Sequence, residues 1–393
     1  MTATAQAERN SLRVMGLAGF ASMVSMRMCD PMLVVLGQEF QVTTGEASRV
    51  VSAFAVAYGV LQLFYGPLGD RFGKLRVISL AVLACAVFSA ITSMASDLSL
   101  LIVMRGFMGA AAAGIIPLSM AWIGDQVAYD RRQETLAKLM GYTVSGMMVG
   151  LWFGGFAAEH LGWRAAFAVV SGLFAIAAWM LWRKLRSTPA SVSASGSGSF
   201  LAYFANSVQM LRTARVRHVM TVTAIEGALV FGAMAFIPTH LHQQFDMSVV
   251  LAGSVMMLYG VGGLVYSQMA KRWLGWLGGE RGLVRAGVVC IAVGLLTLAW
   301  AHGIALGMLG CLATGFGFYM LHNTLQVQAT QMAPASRGTA VTLFACSLFF
   351  GQSTGVVLMA QAVDLDWLPQ AFTAAAVGVL LLGGVLFKLV GRH

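Results

Sequence analysis

Residues 187–199 read Ser-Thr-Pro-Ala-Ser-Val-Ser-Ala-Ser-Gly-Ser-Gly-Ser, a run of small and polar residues at the midpoint of a 393-residue chain. Such a composition buries too little apolar surface to order itself and reads as a flexible linker. Its surroundings are of the opposite kind. The chain is 58% hydrophobic and only 10% charged, against about 25% charged in an ordinary soluble domain, so it cannot cover itself with polar surface. A helix satisfies its own backbone hydrogen bonds in lipid, and about 20 apolar residues span a hydrocarbon layer of ~30 Å. Segments of that length lie at 14–36, 47–69, 77–95, 100–122, 140–161 and 165–184 before the linker. Six more lie after it, at 219–240, 250–270, 284–301, 304–326, 339–361 and 368–390. The sequence therefore predicts an all-α membrane protein of twelve transmembrane helices in two halves, residues 1–186 and 218–393. Residues 187–217 join them as linker plus helix, because Phe200, Leu201, Phe204, Val208 and Leu211 recur at helical spacing ahead of Arg212, Arg215 and Arg217. That pattern reads as an amphipathic helix on the membrane surface.

The net charge of +10 would suit a nucleic-acid binder, but its distribution argues for topology. Loops on the side of the N-terminus hold Arg9, Arg13, Arg71, Lys74, Arg76, Arg131, Arg132, Lys138, Arg183, Lys184, Arg186, Arg212, Arg215, Arg217, Lys271, Arg272, Arg281, Arg285, Arg337, Lys388 and Arg392, while the opposite loops hold Arg49 and Arg164. By the positive-inside rule both termini are expected in the cytoplasm. The five cysteines, Cys29, Cys85, Cys290, Cys311 and Cys346, all fall within apolar segments, so no disulfide framework is expected. Residues 1–13 are polar and no cleavable signal is read there.

Charged side chains at membrane depth cost roughly 2.5–3.5 kcal/mol each on insertion scales, so each needs a reason. Four qualify: Arg27 and Asp30 in the first segment, Arg105 in the fourth and Glu226 in the seventh; the tenth adds His322, Asn323 and Gln326. At ~1.5 Å of rise per residue, Asp30 and Arg105 fall at one depth and Glu226 and His322 at another, which predicts two pairings. Arg27 and Asp30, three residues apart, also share a helical face. One reading of the first group is a fixed ion pair that locks helices. The other is that Asp30 takes up and releases a proton while Arg27 or Arg105 tunes its affinity as exposure alternates. Glu226 reads as a proton or substrate ligand, and His322 as its partner or as a satisfied core histidine.

The loop after the second segment reads Gly66-Pro67-Leu68-Gly69-Asp70-Arg71-Phe72-Gly73-Lys74-Leu75-Arg76. It resembles motif A of the major facilitator superfamily, with Leu75 where a second basic residue is common. Arg105-Gly106-Phe107-Met108-Gly109 is similar to that family's motif B, with Met108 in place of glutamine. Gly146, Gly150, Gly154 and Gly155 match the glycines of its antiporter motif, with Leu151 in place of proline. Asn323 to Gly338 resembles the corresponding stretch of bacterial arabinose-efflux-like and drug:proton antiporter members. The resemblance implies the major facilitator fold, two six-helix halves around a central cavity. It also implies that Gly66, Asp70, Arg71, Gly73 and Lys74 act as a conformational switch, the buried arginine serves proton transfer, and the first, fourth, seventh and tenth helices line the cavity.

Together these features predict a secondary active transporter that exports a small amphipathic molecule by proton-coupled antiport with alternating access. Tyr58, Gln62, Asn323 and Gln326 are candidate substrate contacts. Uptake by symport and facilitative transport use the same residues and are the alternatives. No H-E-x-x-H, G-x-S-x-G or G-x-x-x-x-G-K-[ST] occurs, so neither an enzyme nor an ATP-driven pump is expected. No metal and no cofactor other than the coupling proton is expected. The expected surroundings are a bilayer, with the bacterial inner membrane suggested by short loops and the lack of an N-x-[ST] sequon, and the expected state is a monomer without a nucleic-acid partner.

Overall fold

The computed structural model describes residues 3–187, 200–333 and 336–389. The linker residues 188–199 and Arg392 lie outside the described residues, as do the side chains of Arg9, Phe200, Leu201 and Lys388. Among the described residues all regular structure is helical, and there are fourteen helices. The first part of the chain forms α1 (Ala3–Arg27), α2 (Leu33–Phe40), α3 (Thr44–Phe72), α4 (Lys74–Ser93), α5 (Leu98–Gln126), α6 (Tyr129–Leu161) and α7 (Trp163–Arg186). The second part forms the short α8 (Phe200–Leu211), then α9 (Ala214–Phe245), α10 (Val249–Trp276), α11 (Glu280–Trp300), α12 (Ile304–Met332), α13 (Arg337–Asp364) and α14 (Leu368–Phe387). Eleven of these, α3 to α7 and α9 to α14, are long and apolar enough to cross a membrane.

The first apolar segment departs from expectation. It is not one helix over 14–36: α1 stops at Arg27, residues 28–32 form turns, and α2 begins at Leu33. Pro31 is the physical reason, because it has no N–H to donate and disfavours helical geometry at the residue before it. The Asp30 amide instead donates to the Arg27 carbonyl at 3.2 Å and Met32 to Cys29 at 3.0 Å. A second irregularity follows Glu226 directly, where Gly227–Phe231 of α9 widens into a π turn.

Glycines set how closely the helices approach. A methyl group at Gly146 or Gly150 of α6 would strike the backbone of Phe20 or Val24 of α1, and one at Gly154 that of Met28 just beyond its end. In the second half Gly351 and Gly355 of α13 meet Ala224 and Ala228 of α9 in the same way. Gly109 of α5 on Phe54 of α3 is matched by Gly315 of α12 on Tyr259 of α10. The halves thus share one packing plan, and by it the break in α1 and the π turn in α9 occupy equivalent places.

Leu12 packs with Ile123, Val127 and Leu139, and Lys184 lies over Trp122. The start of α1 and the ends of α5 and α7 therefore share one end of the bundle, here the basic end. At the far end the two sequence-assigned cations are paired, Arg49 with Glu46 at 3.7 Å and Arg164 with Glu39 at 2.7 Å. The halves meet along α3 with α13 and α6 with α10: Gly59 packs on Phe349 and Cys346, and Gly253 and Gly260 pack on Leu151 and Met148. At the far end two carboxylates cross between them. Asp364 accepts from the Thr43 hydroxyl and the Gly45 amide, both at 2.8 Å, and Glu159 accepts from the Val250 amide at 3.0 Å.

Candidate functional site

The break after α1 puts Arg27 at its edge and Asp30 at its centre, both buried, with Arg27 Nη1 3.3 Å from Asp30 Oδ2. Of the two sequence readings for Asp30, the local pair forms. Arg105 does not bond the carboxylate as the depth argument predicts. It donates through Nη1 to the Ser25 carbonyl at 2.9 Å and through Nε to the Val50 carbonyl at 3.2 Å, and its guanidinium lies 4.2 Å from the Phe54 ring centroid. Ending α1 at Arg27 strips the last turn of intrahelical partners for its carbonyls, and Ser25 O is one that Arg105 reaches. Arg105 still lies within electrostatic range of Asp30.

The second pairing forms as predicted. Glu226 Oε2 lies 3.1 Å from His322 Nδ1, and the imidazole stacks on Phe318 with centroids 4.9 Å apart and leans on Phe344. The two clusters touch across the halves, because the Arg27 guanidinium sits 4.6 Å from the ring of Phe231, which itself packs on Phe318. Asp30 Oδ1, Glu226 Oε1, the Tyr259 hydroxyl, Gln62 Oε1 and Gln352 Oε1 are buried without a hydrogen-bond partner. Buried polar groups are normally satisfied, so these groups have hydrogen-bonding capacity that the described side chains leave unused.

The substrate candidates divide. Tyr58 and Gln62 are buried on α3, and Tyr58 packs on Phe349 of the other half at 4.4 Å. Asn323 is half-buried and hydrogen-bonded to Tyr266, and Gln326 is exposed one turn along α12, whereas Gln62 is one of the unpartnered groups. Sequence reasoning missed Tyr259 and Gln352, because a lone tyrosine or glutamine in an apolar run carries no periodic signal.

At the basic end Asp70 pairs with Lys74 at 3.1 Å and Lys74 also reaches Asp125 at 2.7 Å. Asp70 is thus engaged inside its own half. Gly73 has φ +90, a conformation glycine adopts without strain, and this gives the sharp turn into α4. Arg71 stacks on the adjacent Phe72. A methyl group at Gly66 would come 3.8 Å from the Tyr203 hydroxyl of α8, and burial pushes that phenol above its usual range. Gly155, the last of the antiporter-like glycines, packs on Val249 and Val250 of the other half, so the motif contacts both α1 and α10.

A broken first helix, matched irregularities and two glycine-packed halves around buried charges define a membrane transporter of the two-half kind. Comparison with known proteins agrees: the family model described as Major Facilitator Superfamily matches residues 15–356, and the chain belongs to that family. An uncharacterized MFS-type transporter of Bacillus subtilis, YceJ, is 24% identical over 84% of this chain and 83% of its own length. The inner membrane transport protein YnfM of Escherichia coli is 28% identical over 43% of this chain and 40% of its own. The first relatives matched align over well under two thirds of their length, 38% for an uncharacterized transporter of Buchnera aphidicola. Among solved structures, a mutant of the nucleoside transporter NupG superposes with TM-score 0.81 at 13% identity over 96% of this chain and 98% of its own. The human organic anion transporter MFSD10 gives 0.72 at 18% identity, over 96% and 99%.

Proposed function

We propose that this transporter couples movement of a small amphipathic solute to protons, with Asp30 and Glu226 as the proton-binding groups and alternating access as the mechanism. One observation carries the reading: a buried carboxylate stands at an irregularity in the first long helix of each half, each with one oxygen paired and the other orphaned. Irregular helices at membrane depth free backbone and side-chain groups for ions and substrates. A paired carboxylate whose partner swings away on opening exchanges its stabilising cation for water or substrate, which is the change proton coupling requires. Phe54, Tyr58, Phe231, Phe318 and Phe349 give the same region aromatic walls for an apolar solute.

The direction we infer is export by antiport, supported by the antiporter-like glycines on α6; uptake by symport or facilitated diffusion uses the same groups. We take α1 and α2 as one broken span, which makes twelve, and we infer both termini at the cytoplasmic face of a bacterial plasma membrane, a reading the basic end supports. In proteoliposomes with the basic end facing the bath and an acidic lumen, a transported solute releases protons outward. Asp30→Asn and Glu226→Gln abolish that proton flux while solute still equilibrates. Unchanged proton flux in both variants would overturn the assignment.

A further inference from the structure

The outer face of α7 has a feature that the transport reading leaves unused. Val169, Gly172, Ile176, Trp179, Arg183 and Arg186 follow one another at helical spacing and all are exposed. Gly172 has open space where a side chain would stand, so the upper stripe is a shallow apolar lane. At its end Trp179, Trp182, Arg183 and Arg186 line an open surface depression of about 490 Å³. Arg183 lies 4.9 Å from the Trp179 centroid and Arg186 3.7 Å from that of Trp182. Neither guanidinium has a carboxylate partner among the described residues. Stacking holds a guanidinium by its face and leaves its edge N–H donors directed outward.

We propose that this groove binds one anionic phospholipid, its phosphodiester on the edges of Arg183 and Arg186 and an acyl chain along the lane from Trp179 to Val169. Charge complementarity selects this occupant. Two planar cations unmatched by protein acids fit a phosphate bidentately, and they lie where the α7 span ends, the level of lipid headgroups. The segment that follows, Ser187 to Ser199, has no acidic residue and offers the arginines no counter-charge. The lane answers the acyl chain, which a free phosphate lacks.

The test is retention of lipid through purification. The full chain is assembled in nanodiscs of phosphatidylcholine with phosphatidylglycerol, extracted into detergent, and the lipid still bound is counted by native mass spectrometry. The wild-type protein retains one phosphatidylglycerol in preference to phosphatidylcholine. Arg183→Gln/Arg186→Gln weakens that retention about thirtyfold, at roughly fivefold per lost surface cation. Arg183→Lys/Arg186→Lys recovers part of it, since charge returns without the stacked plane. Millimolar glycerophosphoglycerol, the headgroup without chains, fails to displace the bound lipid. Equal retention of phosphatidylcholine, equal retention by the glutamine variant, or displacement by the free headgroup would each overturn the proposal; the first two are also the results expected if the linker covers the groove. Proton flux is not an input to any arm, so failure here leaves the assignment of Asp30 and Glu226 standing.

Discussion

Arg105 is fully buried, and its two backbone acceptors, Ser25 O and Val50 O, lie on α1 and α3. It therefore ties three helices at the edge of the break whatever it does for protons. Replacing it with leucine leaves the Ser25 carbonyl unpaired at the broken end of α1, and Arg105→Leu is expected to lose about 1–3 kcal/mol of stability. The thermal unfolding midpoint of the purified protein should fall by several degrees, and Arg105→Lys, a point charge on a flexible stem, should recover little. A leucine variant as stable as the wild type would remove the tethering role. At this scale the sequence told which residues are costly but not whom they meet. Asp30 and Arg105 share a depth, yet the turn at Pro31 turns Asp30 back to Arg27 and frees Ser25 O for Arg105. Depth arithmetic assumes a continuous helix and fails where the helix stops. Glu226 and His322, on helices without a proline nearby, met as predicted.

The elements were legible wherever hydropathy alone decides them, and eleven long helices coincide with eleven of the twelve apolar segments. Hidden in the sequence was the internal repeat, which survives as glycine contacts rather than as matched letters: Gly150 on Val24 answers Gly351 on Ala224. A backbone contact asks only for a missing side chain on one helix and tolerates anything opposite, so the pattern drifts freely. The contact itself is demanding. Gly154 of α6 abuts the carbonyl of Met28, the first residue of the break, where a methyl group has no flexible neighbour to displace. Gly154→Ala should push α6 from α1, lower stability by about 1–3 kcal/mol as overpacking does, and slow transport through Asp30 along with it. Gly124 of α5, with open space around it, is the comparison: Gly124→Ala should be neutral or stabilising by up to about 1 kcal/mol. Thermal midpoints of the two variants side by side decide the matter, and equal effects would mean that the glycine stripe is not a packing surface.

At the scale of the whole molecule the two carboxylate contacts at the far end follow one rule. Asp364 closes the fifth long segment of the second half and caps the start of α3, the second of the first half. Glu159 closes the fifth of the first half and caps α10, the second of the second. Each puts a negative charge on the positive end of a helix in the opposite half. Nothing comparable joins the halves at the basic end among the described hydrogen bonds; the cleft of about 550 Å³ there, beside Arg13, Lys138 and Tyr142, lies between α1 and α6 of the first half. The caps therefore tie the halves together at the far end, and the alternating access proposed above requires them to part. A helix cap contributes about 1 kcal/mol, and losing both shifts the balance between far-end-closed and far-end-open forms by about 2 kcal/mol, on the order of thirtyfold. Spin labels at Gln41 and Asp366, both exposed at that end, report the separation of the halves. In the Asp364→Ala/Glu159→Ala variant the longer-distance population should grow by that factor, each single change giving about its square root if the caps act independently. An unchanged distance distribution would show that the helix packing of α3 on α13 and α6 on α10 closes the far end without them.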